Sequence, residues 1–321
     1  MSDSKVVIHV GLQKTASTYL QSEFFPRLSD IVYIGRPYTQ ENYAFNTLQY
    51  ADRSLYEPTA LSQEIERIKE IAQDKPILIS DELFSGYAFY NFINRGLIAE
   101  RLSEVVPNAE IVLFLRGQVD LIISLYNQYV KTGWIHKKLD QSFLQRPGKG
   151  FSLEQWLKGR RKWNIYNRFI FHHSVCTPEH FRYTKLYSLY AQLFRKVHVF
   201  LYEDFDKNPE VCLSRIASIL SVNTSNDVSH NLEKTVNKRL DSHQLRQHRL
   251  LNKLEPLGIH QKGIMQFLTK FISTYMGDHS SSNLTHVISL IQESELFEDN
   301  RILNTNFNFG MEQYPKSYFG E

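Results

Sequence analysis

Five short apolar runs punctuate the first two thirds of the chain: Val6–Val10, Ile31–Ile34, Pro76–Ser80, Ile111–Leu115 and Val197–Tyr202. Each is compact and rich in branched residues, the pattern of a strand buried on both faces. Between them the apolar positions change to helical spacing. Leu61, Ile65, Ile68 and Ala72 share one face and predict a helix over Leu61–Gln73. Similar patterns predict helices over Asn94–Val105, Val119–Lys131 and Pro209–Leu220, the last opened by a proline suited to a first turn. A further helix is expected from Ser17 or Thr18, limited by Pro26 to two or three turns. Beyond it all, Leu232–Leu254, Ile264–Met276 and Thr285–Phe297 are helical patterns only.

Short strands alternating with amphipathic helices predict an α/β fold, a parallel sheet of about five strands covered by helices. No repeat, low-complexity tract or Gly/Ser linker divides the chain. The expectation is one domain over 1–321, with an insertion at 133–180 on the acceptor side or as a lid, and a helical extension at 230–321.

Composition narrows the classes. Of 321 residues 42% are hydrophobic, which excludes a disordered or collagen-like chain. The net charge of +3 makes no case for nucleic acid. Two cysteines, Cys176 and Cys212, allow neither a disulfide framework nor a four-cysteine zinc site, and suit a reducing compartment. The longest apolar runs are too short to span a membrane. Val6–Val10 is also too short for a secretory signal and leads to Gln13-Lys14, not to a small-residue cleavage site. A soluble cytoplasmic protein is expected. The pairs His172-His173 and His243/His248 lack metal-ligand spacing, so no metal is expected.

The segment Gly11-Leu-Gln-Lys14-Thr15-Ala16-Ser17-Thr18 joins the first strand to the first helix. At such a junction free backbone N–H groups favour an anion, Lys14 adds a point charge, and the three hydroxyls add donors. A nucleotide kinase would place lysine after a second glycine, and this loop has none. An ordinary turn capped by Ser17 or Thr18 is the alternative. Later in the chain, Arg116 ends the fourth strand and Ser124 follows inside the next helix. An arginine at the carboxyl end of a parallel strand faces the crevice where such sheets bind ligands, and its fork suits a phosphate.

Taken with its flanks, His9-Val-Gly-Leu-Gln-Lys-Thr-Ala-Ser-Thr-Tyr-Leu-Gln21 resembles the 5′-phosphosulfate loop of sulfotransferases that use 3′-phosphoadenosine-5′-phosphosulfate. Gln13 stands where the family commonly has proline, and Ala16 where it commonly has glycine. Alanine there must keep a negative φ or accept strain. Leu113-Phe-Leu-Arg116-Gly-Gln-Val-Asp-Leu-Ile-Ile-Ser124-Leu-Tyr126 resembles the family's 3′-phosphate motif. Val197–Phe205, with Tyr202-Glu203-Asp204, looks like its late strand, and the resemblance makes Tyr202 a contact to adenine. Lys238 and Arg239 lie where relatives place further basic contacts. Phe297–Phe307 resembles the C-terminal helix of bacterial members.

The resemblance implies sulfuryl transfer with 3′-phosphoadenosine-5′-phosphosulfate as co-substrate. Cofactor-binding residues would be Lys14, Thr15, Ala16, Ser17, Thr18, Arg116, Ser124, Tyr202, Lys238 and Arg239, with Lys14 also at the leaving oxygen. The base is expected among Glu82, Asp81 and the histidines. Glycan-type members carry a glutamate after the strand corresponding to Pro76–Ser80, which favours Glu82. Small-molecule members use a nearby histidine, and this chain has none between His9 and His136. Residues 131–168 hold ten Lys or Arg against Asp140 and Glu154, with Trp134, Trp156 and Trp163. That blend suits an anionic or saccharide acceptor, and it also suits solvated helix faces or an RNA patch. The expected reaction is sulfation of a carbohydrate or glycoconjugate hydroxyl. A P-loop-related kinase or a non-catalytic nucleotide- or RNA-binding module are the alternatives.

Overall fold

The computed structural model describes residues 4–88, 92–133, 177–222, 244–249, 288–292 and 294–321. The chain divides into two compact units. One comprises Met1–Arg116, Arg182–Val236 and Asp299–Glu321, the other Gly117–Phe181 and Asn237–Glu298. Much of the expected insertion, Lys238, Arg239 and most of the late helical patterns lie outside the described residues.

The first unit is built on a five-stranded, all-parallel sheet flanked by helices. Its strands are β1 Val6–His9, β2 Val32–Gly35, β3 Ile77–Ser80, β4 Glu110–Leu115 and β5 Lys196–Leu201. Their order is β2-β3-β1-β4-β5. Each expected strand is present, shifted by about a residue at its ends. Tyr202 is the exception, because it opens a helix rather than closing β5.

The order has a consequence for ligands. The chain leaves β1 toward β2 on one side and leaves β4 toward β5 on the other. The carboxyl ends of β1 and β4 therefore flank a point where connections diverge, the standard crevice of open parallel sheets. The register sharpens this. His9 pairs with Val112, so β4 runs on for three further residues past the end of β1. The loop after β1 turns into the space beside that overhang.

One sheet face carries Val7, Leu78, Val112, Phe114 and Phe200, packed against Leu20, Phe24 and Phe25 and against Leu213 and Ile216. Burying each such side chain contributes roughly 1.5–3 kcal/mol, so this layer anchors the loop between β1 and its helix. That helix is short. Helix α1, Ser17–Tyr19, passes into a π turn at Leu20–Phe24 and ends in a 3₁₀ turn at Phe25–Arg27. Pro26 sits at the start of that last turn, where a missing N–H costs little.

Further helices of the first unit are α2 Ala44–Tyr50, α3 Pro58–Ala72 and α4 Arg95–Val105. Helix α3 starts three residues earlier than its apolar face predicts, because Pro58 supplies the first turn. The second unit contributes α5, Gln118–Lys131. The first then continues with α6 Tyr183–Leu193, α7 Tyr202–Lys207, α8 Pro209–Ile219, α9 Leu296–Phe307 and α10 Pro315–Tyr318. Of these α9 crosses the unit boundary at Asp299. Among the described residues no helix is long and apolar enough to cross a membrane.

Candidate functional site

The loop after β1 is conformationally unusual. Gly11, Lys14 and Ala16 have φ of 47°, 70° and 68°, while Thr15 keeps a negative value. Such alternation in sign turns successive N–H groups to one side, which is how backbone forms an anion-binding nest. Ala16 thus takes the strained branch of its expectation, at a cost of about 1–2 kcal/mol for a residue with a Cβ. Lys14 carries the same conformation, which no local motif in the sequence announces.

The loop hydroxyls divide their work. Thr15 is fully buried, its Oγ1 donating to the Leu12 carbonyl at 2.5 Å and accepting from the Leu12 N–H at 3.2 Å. Its hydroxyl therefore braces the loop from inside. Ser17 is also buried, and its hydroxyl reaches the Leu12 carbonyl only at a long 3.4 Å. Thr18 is exposed.

Arg116 meets this loop across the crevice. Its Nη1 donates to the Lys14 carbonyl at 2.8 Å, and its guanidinium lies 4.2 Å over the Tyr202 ring. The Tyr183 hydroxyl on α6 donates to the Arg116 carbonyl and fixes the strand end. Burial raises the Tyr183 phenol well above its usual range, so it stays a neutral donor. Arg116 Nε is buried and has no partner among the described residues. A buried guanidinium N–H left open costs about 1–3 kcal/mol, and an anion beside it recovers that cost. Three expected residues, Lys14, Arg116 and Tyr202, are thus together at one end of the sheet. One face of Tyr202 is already covered by Arg116, which leaves the other face or the edge for a base. Ser124 is half-buried on α5 in the other unit.

At the end of β3 the two neighbouring carboxylates differ sharply. Asp81 is fully buried and accepts from the Leu83 N–H at 2.9 Å, the Tyr38 hydroxyl at 2.9 Å and the Gln49 amide at 2.5 Å. Arg36 lies 3.8 Å away. Burial pushes the Asp81 carboxyl up, while Arg36 and those donors pull it back. It caps the 3₁₀ turn Glu82–Ser85 and ties β2 and α2 to it.

Burial, followed by the like charge of Asp81, raises the Glu82 carboxyl, while a backbone N–H, the Arg36 charge and the Gln21 amide pull it back less. A carboxylate raised in this way is a better proton acceptor near neutral pH than an ordinary one. Tyr190 on α6 donates to the Phe84 carbonyl at 2.9 Å and steadies the turn from below.

Gln21 links this turn to the loop. Its Nε2 also donates to the Ser80 hydroxyl at 3.1 Å, and Ser80 lies 2.8 Å from Nδ1 of His9, its register partner. Sequence reading passed over the roles of Gln21, Ser80, Arg36, Tyr38 and Tyr183. Only Gln21 left a signal, as the last residue of the phosphosulfate-like segment. Glu203 and Asp204, part of the segment that looks like the family's late strand, accept from the Tyr318 and Tyr314 hydroxyls at 2.5 and 2.7 Å. They dock the chain's end.

No family model matches the chain, and neither does any curated protein. Solved structures similar to it include the following two. One is a sulfotransferase from Alicyclobacillus acidocaldarius, at 15% identity and a TM-score of 0.42, covering 83% of this chain and all of the other. The second is the sulfotransferase domain from the curacin biosynthetic pathway, at 12% identity and a TM-score of 0.38, covering 77% of this chain and 83% of that one. Likeness of this degree assigns no residue and no reaction.

Proposed function

We propose that the chain transfers a sulfuryl group from 3′-phosphoadenosine-5′-phosphosulfate to a hydroxyl of a carbohydrate or glycoconjugate. The observation that carries this reading is the bond from Arg116 to the Lys14 carbonyl. It unites the two segments that resemble the donor-binding motifs of sulfotransferases, at the crevice the strand order creates. The residues present fit the donor. The sign of φ alternates along the loop, the backbone pattern of an anion-binding nest, and Arg116 has an N–H without a partner among the described residues. The donor supplies the activated sulfur–oxygen bond, with the bisphosphate as leaving group.

In this reading the loop from Lys14 to Thr18 holds the 5′-phosphate through its backbone N–H groups and the Ser17 and Thr18 hydroxyls. The Lys14 ammonium meets charge developing on the leaving oxygen. Arg116 binds the 3′-phosphate, and Tyr202 offers its open face to adenine. Ser124, Lys238 and Arg239 stay in the reading on the sequence motifs alone. Glu82 takes the proton from the acceptor hydroxyl. Asp81, with its lone pairs already engaged, holds the turn that presents Glu82.

Calorimetric titration with 3′-phosphoadenosine-5′-phosphate and with 5′-AMP tests the reading. The bisphosphate should bind about ten- to a hundredfold more tightly, because a charge-assisted contact contributes roughly 1.5–3 kcal/mol. Arg116→Ala should erase most of that preference. Equal binding of both nucleotides by the wild type overturns the assignment.

A further inference from the structure

The loop has an unexplained donor beneath it. His9, the last residue of β1, is fully buried, edge-on to the rings of Phe25 and Phe114. Its Nδ1 faces Ser80, and its Nε2 has no partner among the described residues. Burial without a charged neighbour brings its pKa down to about 3, so the ring is neutral and carries one proton. The bond to Ser80 sets where that proton sits, and the Ser80 oxygen already accepts from the Gln21 amide at 3.1 Å. In the tautomer in which Ser80 donates to Nδ1, the imidazole proton is carried on Nε2.

Nε2 points at the loop. A Cβ placed on Gly11 would stand 3.2 Å from it and 2.9 Å from Ser17 Oγ, so both atoms border the same small space. Only glycine leaves that space open, and Gly11 also has a positive φ. Ser17 Oγ, in turn, has only the long contact to Leu12 to hold its orientation. A buried ring nitrogen without a partner among the described residues and a loosely held hydroxyl thus both lie beside a residue without a side chain.

We propose that His9 is a positioning residue of the phosphate loop: its Nε2–H is held for the Ser17 oxygen and turns the Ser17 hydroxyl proton toward a bound phosphate oxygen. Occupancy of the loop gives the Ser17 proton a better acceptor than the Leu12 carbonyl, and the oxygen lone pair that this rotation turns toward His9 then accepts from Nε2–H. The inference rests on the donor-binding reading above, and goes beyond it by assigning work to a residue beneath the loop.

The test uses the full chain, uniformly ¹⁵N-labelled, and 3′-phosphoadenosine-5′-phosphate as probe. Long-range ¹H–¹⁵N correlation should show Nε2 protonated at neutral pH, with its proton resonance shifting as the nucleotide binds. Loop amides at Lys14 and Thr15 report binding independently. If those amides move while His9 stays still, or if Nδ1 carries the proton, the inference is overturned and the donor-binding reading stands. If nothing moves, the donor-binding reading itself fails.

A double-mutant cycle separates this role from simple packing. Ser17→Ala and His9→Phe should each weaken the nucleotide about five- to tenfold, and together hardly more than either alone. Multiplying losses would overturn the proposal. His9→Gln, which keeps a donor on a side chain of similar reach, should recover part of the affinity. Should the Phe variant fail to fold, the tautomer and its response to nucleotide in the wild type decide the matter.

Discussion

The carboxyl ends of β1 and β3 lie side by side in the sheet, yet they treat their polar groups in opposite ways. At the end of β3, Asp81 is surrounded by an N–H, a hydroxyl, an amide and a guanidinium, and nothing about it is left open. Around the loop after β1, Arg116 Nε and His9 Nε2 are buried without partners among the described residues, and the backbone is strained at Lys14 and Ala16. Buried polar groups are normally satisfied, so the first region behaves as scaffold. The second keeps open groups and strain, which cost stability and persist where a ligand completes them. The same distinction sorts Asp81 from Glu82 and the brace Thr15 from the loosely held Ser17.

The comparison breaks most visibly if the two carboxylates exchange roles. Glu82→Gln should lower single-turnover sulfuryl transfer about 10²–10⁴-fold with nucleotide affinity near normal, as loss of a general base does. Lys14→Met should likewise reduce turnover more than affinity, because its charge acts on the leaving oxygen. Asp81→Asn should leave turnover far less affected. A dead Asp81→Asn beside an active Glu82→Gln would make β3 the reacting region through the wrong residue.

Stability measures the scaffold more directly. Asp81→Ala strands the Tyr38 hydroxyl, the Gln49 amide and the Leu83 N–H, so unfolding in denaturant should show a loss of about 2–4 kcal/mol. An unchanged midpoint would remove Asp81 from the scaffold.

The open region predicts a pH signature. His9 titrates near 6.5 when unfolded and about 3 when folded, so the unfolded chain takes up its proton first. The stability this contributes is fully present above pH 6.5 and is lost as pH falls from there toward 3. Between pH 7.5 and 5 the loss amounts to about 2 kcal/mol, at ~1.4 kcal/mol per unit below 6.5. His9→Gln should flatten the profile by that amount, with the other histidines cancelling in the difference. Identical profiles for the two proteins would show that His9 is solvated.

The smallest expected effect concerns the strain at Ala16. Ala16→Gly relieves about 1–2 kcal/mol of left-handed strain and adds back roughly 0.4–1 kcal/mol of unfolded-chain freedom. A net gain near 0.5–1 kcal/mol should appear in thermal unfolding. A loss instead would mean that the loop does not hold residue 16 in that conformation.

Read from the sequence alone, the five strands, the helices at α3, α4, α5 and α8, and the loop between β1 and α1 all came out within a few residues of their observed places. Unbroken apolar runs and a 3.6-residue periodicity are local properties, and proline and glycine mark their ends, so these elements need no tertiary information. Helix α6 escaped because its tyrosines at 183, 187 and 190 mix apolar rings with polar hydroxyls. Two of those hydroxyls turn out to reach the Arg116 and Phe84 carbonyls. The residue types at Lys14, Arg116, Asp81 and Glu82 were likewise legible, since their placement at strand ends follows from the strands.

What each group does with its hydrogen bonds was decided only by the tertiary structure. Asp81 and Glu82 are adjacent in sequence and alike in chemistry, and nothing local says that Tyr38 and Gln49, which come from separate segments upstream, converge on one of them. Nor does the sequence say that His9 sits beside Ser80, because that pairing depends on β1 lying between β3 and β4. Strand formation is local, whereas strand order and side-chain partnership depend on contacts between residues tens of positions apart. The candidate residues could be read along the chain, but which of their polar groups are engaged and which stay open is a property of the folded sheet.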